Sequence, residues 1–351
     1  MRILYVSDAL SIHTRRWAEA FRDRGAQVHV ASFRDAEIPG VMVHRLPTGG
    51  LGKAGYLLAI PALRQLAARL KPDVAHAQYV TSYGFIAAMA GLKPLVVTAW
   101  GTDVLVSPNE SRLSRWLATR AVTAADRVTT VAEHMNAAVI ALGVPASKVV
   151  AMPFGVDIHR FSLPAEMPPE PPPLRVISTR NFAPVYSVHT VVEAVRLATG
   201  CGLAVALDLV GDGPLRSELE SAVQAAGLQG AVTFHGHVAA SVLAGLLGRA
   251  HVFVSSSVSD GNNVSLNEAM ACGCFPLATD IPANRQWLVD GTTGGLFPSG
   301  DAARLAAWIE RAASDPALRA RAGQFNRGEV ERRADWRVAV QGMGELYEQL
   351  A

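Results

Sequence analysis

Ser162-Leu163-Pro164-Ala165-Glu166-Met167-Pro168-Pro169-Glu170-Pro171-Pro172-Pro173 places six prolines in one short run. Proline lacks an amide donor and fixes its own backbone angle, so this run can neither continue a helix nor pair in the centre of a sheet. It reads as a linker (164–173) between a first domain, 1–163, and a second, 174–330, with a closing helix, 331–351, expected to cross back to the first. Length agrees: 351 residues exceed one ordinary α/β core and suit two of roughly 150 to 180 residues.

On either side of the linker, short β-branched runs alternate with helical patterns. Ile3–Ser7, Gln27–Ala31, Val74–Ala77, Leu95–Ala99, Val128–Val131 and Val149–Met152 have the continuous apolar character of strands buried on both faces, with 3.6-period segments such as Thr14–Asp23 between them. The pattern restarts at Arg175–Thr179, Ala206–Val210, Ala231–Phe234, Val252–Ser255, Phe275–Ala278 and Gly294–Phe297, and from Ala302 the chain reads as helical to its end. The expected fold is α/β: two Rossmann-like, doubly wound parallel-sheet domains facing across a cleft.

Half the residues are hydrophobic and 18% are charged, the composition of a packed globular protein and not of a disordered one. No apolar run reaches the roughly 18 residues of a membrane span. Asp8 directly follows the first apolar segment, so that segment reads as a strand and not as a secretory signal, and a cytoplasmic location is expected. Cys201, Cys272 and Cys274 are too few for a disulfide framework or a zinc site and are expected to be small buried residues. Net charge is +2, but residues 1–163 carry 18 Lys+Arg against 11 Asp+Glu. That excess leaves room for a peripheral contact of the basic N-terminal domain with the inner face of a membrane; no nucleic-acid partner is expected. Around Ser111–Arg127, Leu113, Trp116, Leu117 and Ala121 lie beside Arg112, Arg115 and Arg120. Such a stripe suits an anionic membrane surface, although it is more commonly the core-facing side of a helix with solvated arginines.

Ligands of open parallel sheets bind beyond the carboxyl ends of the strands. In the first domain, expected to be the acceptor side, that rule selects His13, Gln78 and Trp100-Gly101-Thr102-Asp103. In the second it selects Arg180, Gly211-Asp212-Gly213, His235-Gly236-His237 and Asp260-Gly261-Asn262-Asn263. The most informative stretch is Ser259-Asp260-Gly261-Asn262-Asn263-Val264-Ser265-Leu266-Asn267-Glu268-Ala269-Met270-Ala271-Cys272-Gly273, a loop opening a helix whose free amides and dipole favour an anion such as a diphosphate. Asp260 and Glu268 then fall in the loop and about one turn inside the helix, where each carboxylate can hold a vicinal diol, one on a sugar and one on a ribose. Spacing alone equally allows Asp260 to be a helix cap and Glu268 a solvated acid. Gly52-Lys53-Ala54 and Gly211-Asp212-Gly213 lack the further residues of a P-loop or a dinucleotide fingerprint. His235 and His237 alternate along a strand and so point to opposite faces, which argues against a metal pair.

These residues resemble glycosyltransferase family 4, of the two-Rossmann-domain GT-B fold, whose signature is an acid, seven residues, and a glutamate followed by Ala-Met-Ala-x-Gly. Gly155-Val156-Asp157 with Arg160-Phe161, Val210-Gly211-Asp212-Gly213-Pro214, Phe234-His235-Gly236-His237-Val238 and the Trp336 segment fall in the family's order. The resemblance implies a retaining transfer of a sugar from a nucleoside diphosphate sugar, as co-substrate, to an acceptor glycan, glycolipid or small molecule, with no cofactor and no metal. The sequence contains no Asp-x-Asp. By the same resemblance Arg180 is the diphosphate ligand, Glu268 the ribose ligand, Asp260 with Gly261, Asn262, Asn263 and Val264 the grip on the donor sugar, and His235–Val238 the base-binding edge. Three positions depart from the family. Val185-Tyr186 stands where a lysine is usual, leaving Tyr186 to donate a hydrogen bond to phosphate; Trp100 stands where many relatives carry histidine, which makes Asp103 either the nearest polar candidate for catalysis or a cap of the following helix; His13-Thr14-Arg15-Arg16-Trp17 replaces a glycine pair, leaving His13 either a contact to phosphate or hydroxyl or a structural residue. Two rival readings fit the same residues: a sugar-nucleotide binding protein without transfer activity, and a GT-B epimerase of the sugar nucleotide.

Overall fold

The computed structural model describes residues 1–50, 55–166 and 168–351; Gly52-Lys53-Ala54 lies outside them. The chain divides into two units, Met1–Phe154 with Arg337–Ala351, and Gly155–Trp336.

The first unit is built on seven strands, β1 (Arg2–Val6), β2 (Gln27–Ser32), β3 (Met42–Arg45), β4 (Val74–Gln78), β5 (Leu95–Ala99), β6 (Arg127–Thr130) and β7 (Val149–Ala151), in the order β3-β2-β1-β4-β5-β6-β7. All pairs are parallel; Tyr5, for example, lies opposite Val30 on one side and His76 on the other. The second unit has six, β8 (Leu174–Ser178), β9 (Val205–Val210), β10 (Val232–Gly236), β11 (Val252–Ser255), β12 (Phe275–Thr279) and β13 (Gly295–Phe297), in the order β10-β9-β8-β11-β12-β13 and again parallel throughout. Each sheet reverses its winding once, between β1 and β4 and between β8 and β11, and at such a reversal the following loops diverge and leave a crevice.

Both faces of the second sheet are covered. One cluster joins Val176, Leu207 and Val254 to the Val188–Gly200 and Ala302–Ser314 helices; the other joins Ile177, Phe253 and Ala278 to the Val264–Ala271 helix. β3 is the strand the sequence did not announce. It is an edge strand of four residues, half-exposed or exposed, and its Met-Val-His-Arg run carries no continuous apolar signal.

The unit boundary precedes the prolines. Val156, Ile158 and Phe161 pack into the second unit's core, and Val156 forms a backbone bridge to Asp335, so residues 155–163 belong to the second unit and the proline run lies inside it. The terminal helical segment is three helices, Ala302–Ser314, Pro316–Arg333 and Trp336–Glu348, because Asp315 caps the second with Pro316 in its first turn and Ala334-Asp335 leave the helix to meet Val156. Residues Arg337–Ala351, most of the last helix among them, belong to the first unit. The Tyr347 hydroxyl, fully buried, bonds the Tyr5 hydroxyl and His76 Nδ1, and His76 Nε2 continues to Thr98 and Thr129. Burial holds His76 down at about 3, so it is neutral. Cys272 and Cys274 are buried as expected, but Cys201 is exposed at the end of its helix.

Candidate functional site

In the second unit the loops after β8 and β11 meet at the reversal of winding, and they bring Arg180 and Asp260 together across 80 residues of sequence. Arg180 Nη2 donates to Asp260 Oδ2 at 2.6 Å and its Nε to Ser255 Oγ at 3.1 Å, while its guanidinium carbon lies 5.3 Å from the centre of the Tyr186 ring. Both charges are largely withdrawn from water, with exposures of 9% and 15%. A guanidinium has five N–H donors, and two are spent here, so a fixed, flat cation keeps donors for a ligand. Tyr186 thus meets the arginine through its ring face. Its backbone is held too, since Ser256 Oγ donates to the Tyr186 carbonyl and Val258 N to that of Val185.

Asn263, and not Asp260, caps the Val264–Ala271 helix: its side-chain oxygen accepts from Leu266 N, while its amide nitrogen donates to Ser255 Oγ and Asn284 Oδ1. Ser255 therefore ties the arginine to the helix start. The cap reading of Asp260 falls, and one of its two oxygens is already engaged. Glu268 sits half-buried one turn along, near enough to Cys272 to help push that thiol, already raised by burial, up to about 12. Around this helix start lie buried polar groups with no protein partner: Ser178 Oγ, Thr179 Oγ1 and both side-chain heteroatoms of Asn262 and of Asn267. An unpaired buried polar group costs on the order of 1–3 kcal/mol, and such groups gather where a ligand or ordered water completes them.

The neighbouring loop is built of backbone. Gly211 (φ +136°) and Gly213 (φ +157°) adopt angles foreign to side-chain-bearing residues, and a Cβ on Gly211 would strike the Arg180 carbonyl while one on Gly213 would come within 2.5 Å of that of Phe182. Gly211 N donates to Gly236 O, so this loop abuts the end of β10 where His237 follows. Gly213 N donates to Asp212, holding that carboxyl below its ordinary range with help from Arg216 and His237. His235 is spent on Asp208, Nε2 to Oδ1 at 2.6 Å. Arg180 and Tyr186 follow β8, Gly211–Gly213 follow β9, His237 follows β10, and Asp260–Glu268 follow β11.

The first unit treats its candidates differently. Asp103 is fully buried, and its oxygens accept from the amides of Val80, Trp100 and Gly101; burial nevertheless raises its pKa. It ties the β4 and β5 loops together and has no exposed oxygen for a substrate, which removes it from catalysis. Gln78 is likewise committed inward, accepting from Ser7 Oγ and Thr14 Oγ1, so it braces β4 against β1 and is no acceptor contact. His13 opens the Ile12–Asp23 helix, stacks on Phe154 with ring centres 4.0 Å apart, and meets Trp100 edge-on. Burial, with Arg16 adding to it, lowers His13 to about 4, so it is a neutral ring at ordinary pH. Thr102 Oγ1 bonds the Tyr79 hydroxyl, and Tyr79, at φ +79°, stands edge-on to Trp100. Tyr79 and Phe154 complete this aromatic group and carried no motif in the sequence. Ser255 had a faint signal, the hydroxyl run closing an apolar strand; Asn284 had none.

This arrangement has counterparts. One family model, glycosyl transferase 4-like, matches residues 2–132, and another, glycosyl transferases group 1, matches residues 163–329. The chain belongs to the glycosyltransferases of this 4-like, group 1 type, and its two parallel sheets are those of the GT-B fold. Among curated relatives it is 26% identical over 218 residues to the amylovoran biosynthesis glycosyltransferase AmsK of Erwinia amylovora, covering 60% of this chain and 53% of that protein. It is 30% identical over 172 residues to the putative colanic acid biosynthesis glycosyltransferase WcaL of Escherichia coli, covering 47% and 42%. The chain spans about half the length of these curated relatives. Among solved structures, Anabaena HepE in complex with UDP superposes with a TM-score of 0.83 over 100% of both chains at 21% identity, a likeness of fold.

Proposed function

We propose that the protein is a retaining, metal-independent glycosyltransferase that takes a sugar from a nucleoside diphosphate sugar to a hydroxyl acceptor. The observation that carries this reading is the immobilised Arg180, locked by Asp260, Ser255 and Tyr186 beside the Asn263-capped helix start and its unpaired polar groups. A preorganised guanidinium and the positive end of the helix dipole suit a diphosphate whose negative charge grows as it departs. HepE, of the same fold, has been crystallised with UDP-glucose, which supports a donor of that class.

In this reading the bond from the sugar's anomeric carbon to the β-phosphate oxygen breaks, and a bond from the acceptor oxygen forms on the same face. The acceptor's proton passes to the departing phosphate oxygen, so no protein base is required and a neutral His13 with a buried Asp103 is compatible with turnover. Arg180 neutralises the leaving diphosphate, a contribution of roughly 3–4 kcal/mol if it resembles a lost oxyanion donor. Asp260, through the oxygen that Arg180 leaves open, takes a sugar hydroxyl, and Glu268 takes the ribose.

The test is an assay of purified protein with a panel of nucleoside diphosphate sugars and acceptors, reading the anomeric configuration by NMR, with and without a chelator. Retention that survives chelation is expected. Inversion, or activity restored only by a divalent metal, contradicts the proposal; a new sugar nucleotide formed from donor alone makes the protein an epimerase instead.

A further inference from the structure

The outward face of the Arg112–Ala124 helix is of unusual make-up. The helix turns Ala118, Ala121 and Val122 to the core, so the bulky residues of its apolar stripe are not the buried ones. Leu113 is 65% exposed and Trp116 50% exposed. At 100° per residue, Trp116 stands at the centre of the exposed face, with Arg112 and Arg120 one turn to either side and Leu113 and Arg115 at its flanks. The Trp116 ring is braced from below by buried Phe85, ring centres 5.4 Å apart, and so is held outward. The helix contains no acid; Glu110, exposed just before its start, is the nearest in sequence, and Asp126, just after it, is paired with Lys93. Among the described residues none of the three arginines makes an ion pair, in a first domain that carries 18 Lys+Arg against 11 Asp+Glu through residue 163.

We propose that this face docks the protein on a bilayer surface bearing anionic lipid. Solvated arginines need no partner, but here an exposed tryptophan and leucine share one helix face with three arginines and no acid, which joins apolar and cationic surface in a single patch. Tryptophan suits the headgroup layer, where an apolar ring meets polar groups, and long arginine stems let the charges reach phosphates while Leu113 and Trp116 enter the acyl boundary. Each arginine near such a surface contributes about fivefold to binding. The inference is independent of the donor site, because docking needs no sugar nucleotide.

The experiment is vesicle co-sedimentation of the full chain, using phosphatidylcholine vesicles with and without about 30 mol % phosphatidylglycerol. Wild-type protein should pellet with the anionic vesicles and stay in solution with neutral ones, and high salt should release it. Arg112→Gln/Arg115→Gln/Arg120→Gln should weaken binding by roughly two orders of magnitude, Arg112→Lys/Arg115→Lys/Arg120→Lys should retain most of it, and Leu113→Ser/Trp116→Ser should lose it. These side chains are exposed, so unchanged thermal melts are expected and confirm folded variants. Equal binding to neutral vesicles, no binding, or full binding by the glutamine variant overturns the proposal. A concentration-dependent dimer abolished by Leu113→Ser/Trp116→Ser, without vesicle binding, assigns the face to a second copy of the chain instead.

Discussion

Replacing Asp260 with alanine tests the structural and the functional readings of the site together. The substitution removes the carboxylate 2.6 Å from Arg180 Nη2 and leaves a guanidinium of 9% exposure with Ser255 and the Tyr186 ring as its remaining partners. Breaking a fully buried pair costs on the order of 3–5 kcal/mol, and the partners that remain reduce this to about 2–3 kcal/mol. For a unit of this size each kcal/mol lowers the melting temperature by roughly 2–4 °C, so a drop of about 5–10 °C is expected. The assay is calorimetric melting of wild type, Asp260→Ala, Arg180→Met and the double variant. If the pair is real, the double variant is less destabilised than the sum of the singles by more than about 1 kcal/mol. Turnover of Asp260→Ala should fall by at least ~100-fold while the protein remains folded at 25 °C, because one change removes both the sugar hydroxyl contact and the arginine's alignment. Additive stabilities would refute the ion pair, and unchanged turnover would refute the assignment of Asp260 to the sugar.

Three other regions of the molecule carry expectations of their own. Gly211→Ala places a Cβ against the Arg180 carbonyl at a backbone angle alanine resists, so it should cost ~3 kcal/mol by urea unfolding and weaken nucleotide binding as well; wild-type stability would show that the loop is not so constrained. Asn263→Ala loses the helix cap and one of the bonds to Ser255 Oγ and leaves Asn284 Oδ1 without its partner, for an expected loss of about 2–3 kcal/mol, against about 1 kcal/mol if capping alone mattered. Burial lowers His13 to about 4 and His76 to about 3, so between their ordinary 6.5 and those values the unfolded chain binds protons that the folded one does not. Stability is therefore full above about pH 6.5 and falls as pH drops, by roughly 1.4 kcal/mol per pH unit for each histidine, and His13→Phe should remove one share of that slope; a flat profile between about pH 7 and 5 would contradict it.

The alternation of apolar runs made the sheets legible, since a parallel strand covered on both faces is apolar along its whole length. β3 escaped because an exposed edge strand needs no such run. The prolines marked a break but not the unit boundary, which Val156, Ile158 and Phe161 set by packing into the second core. The strand-end rule located the candidate residues without telling which way each side chain turns. Arg180 and Asp260 met as the rule allowed, whereas Asp103 and Gln78, at equally suitable positions, turned inward to satisfy backbone amides and hydroxyls. The stack of His13 on Phe154 joins residues far apart in the chain, and no local pattern encodes it.

Titration calorimetry of nucleoside diphosphates into wild-type and Arg180→Ala protein measures the central claim, that a fixed arginine beside a helix start holds a diphosphate. One base should bind wild type clearly better than the others, and its affinity should fall at least ~10-fold in the variant, the loss of a charge-assisted hydrogen bond of about 1.5 kcal/mol or more. Equal affinity in the two proteins, or no heat with any nucleoside diphosphate, would contradict it.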